Sequence, residues 1–95
     1  MEKITWSPSA LDDLKNVYEY ICNDSIFYAD RVVEQIFHRV TMLEMHPNIG
    51  RMVPEKSDPN IREIIEGNYR IMYEIRNGII VIYRIIHSSQ LFKRD

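Results

Sequence analysis

The chain has little of what staples or loosens a small protein. Cys22 is its only cysteine, so a disulfide within the chain is impossible and a reducing compartment fits. No His or Asn signature surrounds Cys22, which reads as a small apolar helix residue rather than a nucleophile. Apolar runs last only a few residues, far short of the roughly 20 that a membrane-spanning helix needs. Met1 to Ser7 has no apolar signal core, which predicts a cytoplasmic protein with no membrane partner. A charge excess of either sign is also missing. Twelve Lys and Arg stand against fourteen Asp and Glu, for a net charge of −2 and a pI of about 5.9. Proteins that hold nucleic acid mainly through its phosphates usually carry a basic field, so this chain would need a local basic patch. Neither an internal repeat nor a low-complexity segment is visible. The 95 residues predict one domain, 1–95, with a real but modest core.

What is present is strong periodicity. Lys3–Trp6 is a short strand. Ser7 can then cap a helix, with Pro8 suited to its first turn and Asp12 and Asp13 near the positive end of its dipole. Leu11, Leu14, Tyr18 and Ile21 repeat at spacings of three and four, with Val17 beside them, and predict a helix ending near Cys22. Asn23–Ser25 breaks the pattern. Ala29, Val32, Val33, Ile36, Val40 and Leu43 form a second stripe, stopped by Pro47. So short a connection predicts an antiparallel helical hairpin. His46–Asn60 is the one long irregular stretch, too short for a domain linker and of a length often functional. Ile61–Ile65, Tyr69–Arg76 and Ile79–His87 read as three strands. Together these elements predict an α+β fold of order β-α-α-β-β-β, with the helical hairpin on one face of an antiparallel sheet.

Asn77-Gly78 is a strong hairpin signal, because a type I′ turn needs positive φ at both positions. A two-residue turn pairs Arg76 with Ile79, Tyr73 with Ile82 and Arg70 with Ile85. Strict alternation then puts Tyr69, Ile71, Tyr73, Ile75, Ile80, Ile82, Arg84 and Ile86 under the helices. Arg70, Met72, Glu74, Arg76, Ile79, Val81, Tyr83, Ile85 and His87 fall on the other face, open to water or a partner. On this register Arg70 and His87 emerge near one end of the open face. The strand arginines Arg62, Arg70, Arg76 and Arg84 have an alternative reading as solvated edge charges paired with Glu63, Glu66 and Glu74. His87 at a strand end likewise has a structural reading, as a hydrogen-bonded side chain. His38, His46 and His87 lack metal-ligand spacing, so neither metal nor cofactor is expected.

Taken together, "WSPSALDDL", "ADRVVEQI", "LEMHPNIGR", "IREI", "YRIMYEI" and "VIYRIIH" resemble the RelE/ParE superfamily, the toxins of type II toxin–antitoxin systems, over nearly the whole chain. The resemblance implies two helices against an antiparallel sheet and a cognate antitoxin partner of the ParD or RelB kind. Function divides within the superfamily. The strand pattern is more similar to the ParE branch, whose members poison DNA gyrase without a nuclease centre. On that reading Arg62, Arg70, Arg84 and His87 are target-binding residues and the chain is a binder rather than an enzyme. That branch often continues after the His with Gly and Arg, where this chain has Ser88-Ser89-Gln90. The alternative is a RelE- or YoeB-like endoribonuclease acting on mRNA, with or without the ribosome. Metal-independent cleavage needs a base, an acid and a cation for the phosphorane charge. Resemblance to the YoeB-like enzymes implies Glu55, His87 and Arg70 in those roles. A member that only binds antitoxin is the third reading.

Overall fold

The computed structural model describes residues 3–88; Ser89, Gln90 and the outermost ends of the expected 1–95 domain lie outside that range. Strand β1 (Lys3–Trp6) leads into α1 (Pro8–Cys22) and α2 (Ile26–Met42). Strands β2 (Arg51–Met52), β3 (Ile61–Glu66), β4 (Tyr69–Arg76) and β5 (Ile79–His87) follow. The sheet order is β1-β5-β4-β3-β2. β3 to β5 are antiparallel neighbours, as expected, and β2 pairs antiparallel with β3, but β1 pairs β5 in parallel and makes the sheet mixed. β1 can do so because the helical hairpin carries the chain across the sheet between them. The long loop also departs from expectation, since it contains the two-residue edge strand β2.

Local chemistry explains the elements. Ser7 caps α1 through its side chain, which accepts from Ala10 N, and Pro8 opens the first turn. Ser25 caps α2 in the same way, accepting from Tyr28 N. Asn77 and Gly78 have φ of 51° and 76°, as a type I′ turn requires. Ala10, Leu14, Ile36, Val40 and Leu43 from the helical layer meet Ile64, Ile71, Tyr73, Ile80 and Ile82 from the sheet. Tyr73, Ile80 and Ile82 are buried as predicted, and Ile75 packs against them half-buried. Leu11, placed on the apolar stripe by spacing, is exposed instead.

The β4–β5 register corrects the expected one. Pairing runs regularly from Arg76 and Ile79 to Tyr73 and Ile82, then slips: Met72 meets Arg84, Arg70 meets Ile86, and Tyr69 meets His87. Tyr83 is the extra residue of a β-bulge, and Ile85, Ile86 and His87 beyond it change face, whereas Arg84 stays on the helix side with Asp13. Ile85 joins the core under the helices. Ile86 joins a second cluster on the opposite face with Val53 and Met72. That opposite face is therefore not a bare platform. Val53, from the loop after β2, is fully buried against it, with Ile61 and Tyr83 packed alongside.

Helix α1 supplies the groups that make the bulge tolerable. Ser7 N donates to Ile82 O at 2.8 Å, and Ser7 Oγ donates to Tyr83 O at 3.1 Å. Ile85 N donates to Asp13 Oδ2 at 2.9 Å. Backbone groups lost from the ladder thus find partners on the helix, as buried polar groups must.

Candidate functional site

The back of the sheet carries an alternating ion network. Arg70 on β4 and Glu63 on β3 point to this face and are 5% and 1% exposed. Arg70 Nε donates to Glu63 Oε1 at 2.6 Å. Its two terminal nitrogens donate to the two oxygens of Glu55 at 2.9 and 2.8 Å, a bidentate pair. Arg51 Nε closes the chain on Glu63 Oε2 at 2.6 Å. The order is Arg51, Glu63, Arg70, Glu55, with signs alternating. Hydrogen bonds to Glu55 raise the Arg70 pKa further above its ordinary value; burial opposes charge but Glu63 adds support. Arg70 is fixed as a cation and its guanidinium fork is already engaged on both edges.

A second anchor holds the loop that brings Glu55 there. The Tyr73 hydroxyl donates to Pro47 O at 2.8 Å and accepts from Gly50 N at 2.9 Å. Arg62 donates to Gly50 O at 2.8 Å. A Cβ at Gly50 would lie 2.5 Å from Glu63 O and 2.6 Å from the Tyr73 hydroxyl, so the close approach demands glycine. Burial raises the Tyr73 phenol pKa, partly offset by the Gly50 hydrogen bond and the Arg62 charge.

His87 stands elsewhere. The bulge turns it to the helix side, where its ring meets Tyr69 edge-on at 5.7 Å. It lines a cleft of about 680 Å³ between α1, the start of α2 and the ends of β4 and β5. Arg84 lines the same cleft and donates to Asp13 at 2.8 and 3.4 Å.

The sequence-derived candidates therefore split. Glu55 and Arg70 come together on one face, while His87 and Arg84 share a cleft on the other. This corrects the expectation that Arg70 and His87 emerge together on an open face. Tyr69 and Arg70 are consecutive and point to opposite sides, and the bulge keeps His87 with Tyr69. Arg62 anchors the loop. Of the expected edge pairs, Arg76 with Glu74 is present and exposed, whereas Arg70 with Glu63 is deeply buried. Sequence reasoning missed the burial of Glu63 and the roles of Arg51 and Asp13. A carboxylate inside the apolar run Ile61–Ile65 was the available signal, since Glu63 shares a face with Met72, its cross-strand partner. Among the described residues, no three His, Cys, Asp or Glu side chains converge to hold a metal ion.

Residues 4–92 match the family model described as the ParE toxin of the type II toxin–antitoxin system, parDE. The chain belongs to this family. It is a type II toxin–antitoxin toxin of the ParE/RelE group. Toxin RelE3 of Caulobacter vibrioides is 28% identical over 94 residues, spanning 95% of this chain and 98% of that protein. The ParE-family fold agrees with solved structures. A chain of the chromosomal ParDE system from P. aeruginosa superposes with a TM-score of 0.74 at 23% identity, covering 92% of this chain and 96% of that one. A chain of the RelBE2 toxin–antitoxin complex from Mycobacterium tuberculosis gives 0.59 at 20% identity, covering 90% and 96%. These likenesses establish two helices on a mixed sheet. No helix among this ParE-family toxin's described residues is long and apolar enough to cross a membrane.

Proposed function

We propose that this ParE-family toxin acts in the cytoplasm by binding rather than by cutting: a cognate ParD- or RelB-like antitoxin holds it inactive, and the released toxin inhibits DNA gyrase. One observation carries the binding half of this reading. The base, cation and acid of the RNA-cleaving alternative do not converge. Both Glu55 oxygens hold Arg70, which is buried, and His87 lies on the opposite side of the sheet. An arginine already matched by two carboxylates is a poor clamp for a phosphorane. The family model groups the chain with the ParE toxins, the branch to which the resemblance attaches a gyrase target, and the ParDE and RelBE2 toxin–antitoxin systems support an antitoxin partner. Net charge of −2 also weighs against docking to ribosomal RNA.

The test compares wild type with His87→Gln in three assays: growth arrest, gyrase supercoiling and mRNA integrity in a translating extract. Glutamine cannot supply a proton, and loss of one catalytic acid typically costs about 10²–10⁴-fold. The expected result is supercoiling inhibited and arrest retained by His87→Gln, with mRNA intact. Cleaved mRNA, lost on His87→Gln while the fold survives, would replace this reading with the endoribonuclease.

A further inference from the structure

The cleft that holds His87 and Arg84 also carries tyrosines and carboxylates to which the gyrase reading assigns no role. Tyr20, Tyr28, Tyr69 and His87 line it, together with the buried apolar Ile21 and Ile85. Asp13 and Asp24 also line it. Among the described residues the one cation lining it, Arg84, is bound to Asp13. The three charged side chains therefore sum to one negative charge, with Asp24 supplying the excess. Tyr20, Tyr28 and Tyr69 line this one cleft together, and burial, then the neighbouring Tyr28 and Tyr20 phenols, raise the Tyr69 pKa. Aromatic faces attract a cation electrostatically, an apolar lining suits its methylene stem, and a carboxylate completes the pairing. A volume of about 680 Å³ exceeds what one side chain needs and leaves room for the flanking backbone. Beside the cleft, Ile26 and Phe27 at the start of α2 are 63% and 90% exposed. They offer a partner apolar surface next to Asp24 and Tyr28, which line the cleft.

We propose that this cleft receives an arginine or lysine side chain from a segment of the neutralising antitoxin, with the segment's apolar residues lying against Ile26 and Phe27. The identity of the occupant rests on the antitoxin half of the function proposed above; the cation chemistry rests on the cleft. The ring-labelled toxin is titrated with N-acetyl-arginine methylamide and with its norleucine counterpart, which keeps the stem and lacks the charge. The expected result is saturable shifts at Tyr20, Tyr28 and Tyr69 with the arginine compound alone. Asp24→Asn should weaken them about two- to fivefold, the size of a solvent-exposed charge pair. Equal response to norleucine overturns the proposal. In a second arm, affinity for the antitoxin co-expressed from the neighbouring reading frame is measured for Tyr28→Ala and Asp24→Asn. Both positions are exposed, so the fold should survive. Tyr28→Ala should weaken the complex about tenfold; unchanged affinity in both variants overturns the assignment of the occupant. Failure to inhibit gyrase would defeat the proposed target and leave both arms standing.

Discussion

Glu63 and Arg70 set the energetics at the scale of single residues. A buried charge that loses its partner is expensive, whereas an intact pair contributes little net stability. Glu63→Ala removes one of the two carboxylates that hold Arg70 and deprives Arg51 of its carboxylate. It should cost about 3–5 kcal/mol. Glu55→Ala should cost less, about 1–3 kcal/mol, because the Glu55 side chain is 20% exposed and water can replace it. Urea denaturation of the two variants checks the order; an equal or reversed order would show that Glu63 is not the keystone. Tyr83 gives a pH test. Burial first, then the negative charges of Glu74, Asp58 and Glu63, push its pKa up to about 12 from 10.0. The unfolded chain therefore ionises at lower pH than the folded one. Its contribution is fully present below pH 10 and is lost as pH rises toward 12. Tyr83→Phe should flatten the fall in melting temperature across that window, and an unchanged slope would contradict the assignment.

Two elements are decided by contacts from outside themselves. The β5 bulge depends on Asp13, which accepts from Ile85 N and from Arg84. Asp13→Ala removes both interactions and should cost about 1–3 kcal/mol. Hydrogen exchange at the Ile85 amide should accelerate, whereas exchange at the Asn77-Gly78 end of the hairpin should not. Uniform acceleration along the hairpin would mean that Asp13 supports the whole sheet rather than the bulge. The loop before β2 depends on Tyr73 and Gly50. Tyr73→Phe keeps the ring but strands Gly50 N and Pro47 O, at about 1–3 kcal/mol. Gly50→Ala adds a methyl where Glu63 O and the Tyr73 hydroxyl already sit, and overpacking of this kind typically costs about 1–3 kcal/mol. Both should loosen the grip of Glu55 on Arg70, since Gly50 and Glu55 belong to the same loop. Limited proteolysis between Pro54 and Asn60 should quicken in both; resistance equal to wild type would separate the loop from its anchor.

For the molecule as a whole, the sheet divides the candidate groups between two sides. One side is closed by Val53 and the ion network. The other opens at its end into the cleft of Tyr69, Arg84 and His87. On the proposed reading, interaction with a partner belongs to the cleft and the exposed start of α2. Charge reversal at Arg70 should act through stability. Charge reversal at Arg84, whose side chain is 35% exposed, should act on partner binding as well. Arg70→Glu should abolish soluble expression, whereas Arg84→Glu should give a folded protein with weakened growth arrest. A folded Arg70→Glu variant with intact thermal stability would show that the buried network is dispensable.

Much of this was legible in the chain. The Ser7–Pro8 helix start, the two helical stripes, the Asn77-Gly78 turn and the burial of Tyr73, Ile80 and Ile82 follow from local chemistry and periodicity. These signals reside in adjacent residues and do not depend on what packs against them. The family likeness was legible for the same reason. The candidate site was only half legible: Glu55 and Arg70 do meet, but His87 does not join them. The missing information was a single extra residue, Tyr83. Whether a strand takes up a bulge depends on whether distant groups satisfy the backbone left unpaired. Here Ser7 and Asp13, more than 70 positions away, do so. The sequence by itself determined the elements, their turns and the apolar faces near Asn77-Gly78, because alternation propagates only from a fixed point. Tertiary structure decided which face His87 occupies, because register beyond a bulge is set by contacts that no local pattern encodes, and it made the solvent-facing expectation for Arg70 into a buried ion network.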